Sequence, residues 1–169
     1  MDEKQSETNS FYSYESKNSC MELENYLKES RVWFRFIDKP ETIHTKDAAL
    51  HTGIELNRVT KSLVFLVDKN PVMIIVPGDR RVDTHKLEHV LGTKDIRLVN
   101  FKQAKKYSGY EPGATPPVFH KNITKTIIDK SLLRYDIIFG GGGTRNKLIE
   151  MKTEDILRLT NAIIEDVVI

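Results

Sequence analysis

Hydrophobic positions along the chain come in short clusters rather than long runs. Met21, Leu23, Tyr26 and Leu27 are spaced for one face of a helix, and Trp33 to Ile37, rich in β-favouring side chains, then reads as a strand. Thr45 is placed to cap a short helix from Lys46 to His51, with Asp47 favourable in its first turn and Gly53 at its end. Two β-rich runs follow, Leu63 to Val67 and Val72 to Val76. The four residues between them, Asp68, Lys69, Asn70 and Pro71, predict a hairpin connection. Asp83 heads a second helix that ends at Gly92, Ile96 to Val99 is a short strand, and a third helix from Phe101 to Tyr107 stops at Gly109. Beyond the Gly/Pro-rich stretch 109–117, short strands are expected at 126–129, 137–139 and 147–151. Thr153, followed by Glu154 and Asp155, caps a last helix whose apolar side takes in Ile156, Leu157, Thr160, Ile163 and Ile164.

About seven short strands mixed with four or five helices predict an α/β domain with a mixed, strongly curved sheet, because the hairpin forbids an all-parallel one. The length, 169 residues, suits one domain, and no internal repeat is visible. Residues 1–20 are polar and without period, a flexible tail; the globule is expected over 21–169. No apolar run approaches the roughly 18 to 20 residues that a membrane helix requires. The amino terminus begins with acids and lacks an apolar core of the secretory kind, so a cytoplasmic location is expected. A lone Cys20 excludes an intramolecular disulfide and four-cysteine zinc sites.

The net charge of +2 argues against a dedicated duplex-DNA binder, but it is unevenly spread. Residues 1–20 carry −2, whereas 102–147 hold nine basic residues against three acids, net +6. A partner with phosphates would meet this stretch first; the plainer alternative is a solvated surface.

Three stretches place Gly, Pro or Lys where a plain core would not. Gly109 to His120, GYEPGATPPVFH, combines Pro112, Pro116 and Pro117 with Gly109 and Gly113, which predicts a stiff loop with few, well-aimed amides. Gly140 to Gly143, then Thr144 and Arg145, follow a strand directly, and four glycines there would let backbone amides face an anion or a sugar edge. A tight turn is the structural alternative. The run ends in neither Gly-Lys-Ser/Thr nor the dinucleotide pattern, so kinase, ATPase and dehydrogenase readings lose their motif. Lys61 stands at the mouth of an apolar run, where its ammonium can reach an anionic or carbonyl oxygen or simply snorkel to solvent. His85, Glu88 and His89 spell H-x-x-E-H, a rival zinc-hydrolase reading that needs a distant third ligand such as Glu165.

In order, IHTKDAALHTG, VTKSLVFLVD, GYEPGATPPVFH and LLRYDIIFGGGGTRNKLIEMKTEDILRLT resemble the YbaK family of free-standing aminoacyl-tRNA editing domains, relatives of the editing insertion of bacterial prolyl-tRNA synthetase. The resemblance covers roughly 32–168. It implies a single α/β domain with a mixed, barrel-like sheet, surrounded by short helices, and a hydrolase that deacylates mischarged tRNA at its terminal adenosine ester. The family's functionally important lysine falls on Lys61. Its substrate-binding positions fall on His44, on Gly113, Thr115, Pro116 and Pro117 of the loop, and on Gly141, Gly142, Gly143 and Thr144. Pro112 stands where some members have a further glycine, a departure that bears on loop shape and substrate preference. The family implies no metal and no organic cofactor, the tRNA acceptor end as partner, and a synthetase as a second partner to consider. Since an aminoacyl ester is already activated, backbone amides near Gly113 and Gly142 with a lysine ammonium suffice in kind for holding it and stabilising an oxyanion. A binding module of the same fold without hydrolysis is the alternative.

Overall fold

The structure, a computed structural model, describes residues 18–169. Its five helices are α1 (residues 18–29), α2 (Thr45–Thr52), α3 (Thr84–Leu91), α4 (Phe101–Ser108) and α5 (Thr153–Thr160). The strands are β1 (Phe34–Asp38), β2 (Thr60–Val67), β3 (Asn70–Pro77), β4 (Ile96–Leu98), β5 (Lys125–Asp129), β6 (Ile137–Gly141), β7 (Lys147–Lys152) and β8 (Ile163–Glu165). Residues 18–20, expected in the tail, belong to α1; the rest of that expected tail, 1–17, lies outside the described residues.

The chain forms an α/β domain with two sheets. One is antiparallel, in the order β1-β7-β6; the other is mixed, β4-β2-β3-β5-β8, with β5 parallel to both β3 and β8. A parallel bridge between Val59 and Phe139 couples them. The single barrel-like sheet expected from sequence is therefore two open sheets, neither of them closed. β3 lies at the centre and is buried on both faces, as its continuous apolar run requires. Met73 and Ile75 face Leu23 and Leu27 of α1 together with Val118, Ile138, Ile149 and Ile156, while Val72, Ile74 and Val76 face Leu87 and Val167.

Several local expectations hold and others shift. Asp83 caps α3 by accepting from the amides of His85 and Lys86, and Gly92 closes it in the left-handed conformation. The hairpin turn is tighter than expected: Asp68 and Lys69 alone form it, with φ of 47° and 68°, and Asn70 and Pro71 already belong to β3. His44, with no side-chain cap bond, takes the N-cap position of α2, and Thr45 is its first helical residue. Thr153 likewise starts α5 rather than capping it, its hydroxyl donating to Tyr135 O at 2.6 Å. Asn161 turns left-handed at φ 49° and ends α5, so Ile163 and Ile164 leave the helix and form the edge strand β8. No helix among the described residues is long and apolar enough to cross a membrane.

Candidate functional site

Three loops meet beside β6: residues 39–43, the Gly/Pro loop 109–120, and the turn 141–146 that joins β6 to β7. They touch backbone to backbone, which is why glycine recurs. A Cβ on Gly141 would lie 2.5 Å from the Ala114 carbonyl carbon and from Thr115 O. One on Gly140 would lie 2.6 Å from Pro117 Cδ, and one on Gly113 2.7 Å from Ile43 Cα. The structure thus brings Gly113, Thr115, Pro117 and the glycine run together, with Pro116 buried in the same loop.

The amides of this cluster divide into two groups. Gly142 N donates to Lys147 O and Gly143 N to Ala114 O, each at 2.9 Å, so these two amides, for which the sequence leaves both a ligand-facing role and a tight turn open, are occupied within the fold. The amides of Thr144, Arg145 and Asn146, and that of Thr115, have no acceptor among the described residues. Consecutive unpaired N–H groups on a short turn are what an anion or a polarised carbonyl oxygen accepts from.

Lys39, which no sequence signal singles out, holds this turn from behind. It is 8% exposed, and its ammonium donates to Thr42 Oγ1 at 2.7 Å, to Arg145 O, and to Pro40 O at 3.4 Å. Burial lowers its pKa, with Glu41 opposing. Two backbone bonds run alongside, Lys39 N to Asn146 O at 3.0 Å and Thr42 N to Arg145 O at 3.1 Å. Arg145 Nε donates to Pro112 O at 2.8 Å, which ties the third loop in.

The far end of the Gly/Pro loop is fixed by aromatic groups. Phe119 sits at φ 63°, an uncommon backbone for a bulky residue. Its ring stacks on Tyr26 of α1 at 4.3 Å between centroids, and its carbonyl accepts from the buried Tyr110 hydroxyl at 3.0 Å. Burial raises the Tyr110 pKa, so it remains a donor. His120 bonds Pro116 O through Nε2 at 2.7 Å, and burial pushes its pKa down to about 4 despite that bond. At neutral pH it is an uncharged imidazole whose Nε2–H donates to the loop.

His44 lines an open depression of about 510 Å³ with Glu41, Thr42, Ile43, Asp47 and His51. Gly113 abuts Thr42 and Ile43, so the depression adjoins the loop cluster. Phe101 stands 6.4 Å from the His44 ring and is 56% exposed. Lys61 follows Thr60, whose hydroxyl donates to Phe139 O at 3.0 Å beside Gly140. The Lys61 ammonium itself donates to Arg80 O, and none of its hydrogen bonds reaches the three loops. Burial lowers its pKa, and Arg81 adds to that while Asp79 opposes it. The zinc reading finds no support in the geometry. His85 is exposed and pairs with Glu88 at 3.7 Å, and no group of three or more His, Cys, Asp or Glu able to hold a metal occurs among the described residues.

Comparison with known proteins places these features in one family. Residues 39–159 match the aminoacyl-tRNA editing domain family. A candidate Cys-tRNA(Pro)/Cys-tRNA(Cys) deacylase of Enterococcus faecalis, EbsC, is 28% identical over 148 residues, 87% of this chain and 90% of its own length. Proline--tRNA ligase of Lactobacillus acidophilus is 30% identical over 100 residues, 59% of this chain but only 18% of that ligase. A crystal structure described as a candidate trans-editing enzyme for prolyl-tRNA synthetase superposes with a TM-score of 0.79 at 28% identity, covering 89% of this chain and 97% of that one. The matched segment begins at Lys39 and contains the glycine run and both loops packed on it, and the chain belongs to the aminoacyl-tRNA editing domain family.

Proposed function

We propose that this protein is a trans-editing hydrolase that cleaves the ester between a mischarged amino acid and the terminal adenosine of its tRNA. The observation that supports it best is the row of amides at Thr144, Arg145 and Asn146 that have no acceptor among the described residues, set on a turn that two other loops brace. In the proposed reaction, water attacks the ester carbonyl, and negative charge develops on that oxygen. The unpaired amides stabilise it. Collapse breaks the bond to the ribose oxygen, which leaves with a proton, giving free amino acid and uncharged tRNA.

No carboxylate pair or nucleophile is needed, because the ester is activated and the catalyst's task is to hold it and stabilise charge. Lys61 binds a phosphate or carbonyl oxygen of the terminal adenylate, and a neighbouring ribose hydroxyl orients the water. His44 and the depression around it receive part of the acceptor end. Of the basic residues over 102–147, Lys105 pairs with Glu111 and Lys147 with Asp38, which leaves most of the stretch to attract tRNA phosphates. Turnover is therefore expected to fall with rising salt.

The activity named for the Enterococcus relative makes Cys-tRNA(Pro) the first substrate to try. The test is single-turnover deacylation of tRNAs charged with cysteine, alanine, serine, threonine or proline. Hydrolysis of one species supports the proposal; tRNA binding with no hydrolysis of any species would identify a binding module instead.

A further inference from the structure

We propose that Lys39 is a positioning residue for this hydrolysis: its ammonium fixes the peptide between Arg145 and Asn146 so that the Asn146 N–H is presented to the developing oxyanion. The inference rests on the function proposed above. In a trans peptide the C=O of one residue and the N–H of the next point in opposite directions. Arg145 O is drawn to one side by two donors, the Lys39 ammonium and Thr42 N. The Asn146 N–H of the same peptide must then point to the other side, where it has no acceptor among the described residues.

A buried lysine is an expensive way to hold a turn that Thr42 N already holds. An ammonium against the carbonyl does more than a neutral donor: it polarises the peptide and strengthens the N–H at its other end as a donor. All three ammonium hydrogens have acceptors in Thr42 Oγ1, Arg145 O and Pro40 O, so the charge is fixed in place and not mobile. The same turn is tied by Arg145 Nε to Pro112 O, so a shift of the peptide would be felt in the Gly/Pro loop as well.

An oxyanion donor acts in the transition state, whereas a phosphate-binding amide would act equally in the ground state, and kinetics separates the two. The experiment is single-turnover deacylation, with enzyme in excess, of the charged tRNA that the wild type hydrolyses, comparing wild type, Lys39→Met and Lys39→Arg. Lys39→Met is expected to lower the maximal rate constant at least about 10-fold, below the roughly 100- to 1,000-fold of deleting a donor outright. The enzyme concentration giving half-maximal rate should stay within about twofold, and Lys39→Arg, which keeps the charge, should recover part of the rate. An unchanged maximal rate constant in folded Lys39→Met, or a loss confined to the half-saturating concentration, would overturn the role. If Lys39→Met does not fold, Thr42→Val carries the test, with a smaller fall of about threefold expected; no fall would overturn it. A wild type that hydrolyses none of the charged tRNAs overturns the function and this role together, whereas an active wild type with an unaffected variant overturns this role alone.

Discussion

The β2–β3 hairpin and the three-loop cluster are held in opposite ways. Ile74, Ile75 and Val76 in β3 are fully buried among side chains, and their fit depends on volume. At the cluster, backbone meets backbone: Gly141 against Ala114 and Thr115, Gly113 against Ile43, with a lysine ammonium as the tie. Side-chain packing yields by small shifts and rotamer changes, whereas a carbonyl at contact distance does not. The core should therefore trade stability for substitution without altering chemistry, and the cluster should lose chemistry with comparatively little loss of stability.

The largest effect on stability is expected in the hairpin. Ile74→Ala should lower unfolding free energy by about 2 to 5 kcal/mol, measured by denaturant titration, while the molecules that remain folded deacylate at the wild-type rate. A matching fall in their rate constant would erase the distinction between the regions. Gly141→Ala should do the reverse. The added methyl would stand 2.5 Å from Thr115 O, so the loop must move, at about 1 to 3 kcal/mol in stability and with most of the activity lost.

His120 sharpens the comparison through pH. Its folded pKa, about 4, lies below its ordinary 6.5, so the unfolded chain binds a proton in that interval that the folded loop excludes. Stability is fully present above about 6.5, declines as pH falls to about 4, and below that the two states gain the proton alike. The loss is on the order of 3 kcal/mol, and His120→Asn should flatten this part of a thermal-melting profile against pH. The smallest effect belongs to a helix end remote from the three loops: Asp83→Ala removes the α3 cap and should cost about 1 kcal/mol with no change in deacylation rate.

The parts legible in the sequence are those with local causes. Helix ends at Gly53, Gly92 and Gly109 need only neighbouring residues and appear where expected, and the β-rich run Leu63 to Val67 is a strand, which starts earlier, at Thr60. The hairpin turn is shorter than its sequence suggests because Asp68 and Lys69 adopt positive φ with no glycine there to mark it. Ile163 and Ile164 continue the helical spacing of α5, but a left-handed Asn161 interrupts it and β5 captures them as a strand. At the site, the glycine run and the Gly/Pro loop are visible in the sequence; what Gly113 and Gly141 do, approach other backbone at Ile43 and Ala114, depends on partners distant in the chain. Lys39 had no signal, since its importance comes from Arg145, 106 residues further along the chain.

Hydrolysis of a mischarged ester at this site is tested most directly by single-turnover deacylation of Cys-tRNA(Pro) and the other charged tRNAs by wild type and by Lys61→Ala. Loss of one species with wild type alone is the result predicted. Persistence of every species in the presence of wild-type protein, or equal hydrolysis by Lys61→Ala, would contradict it.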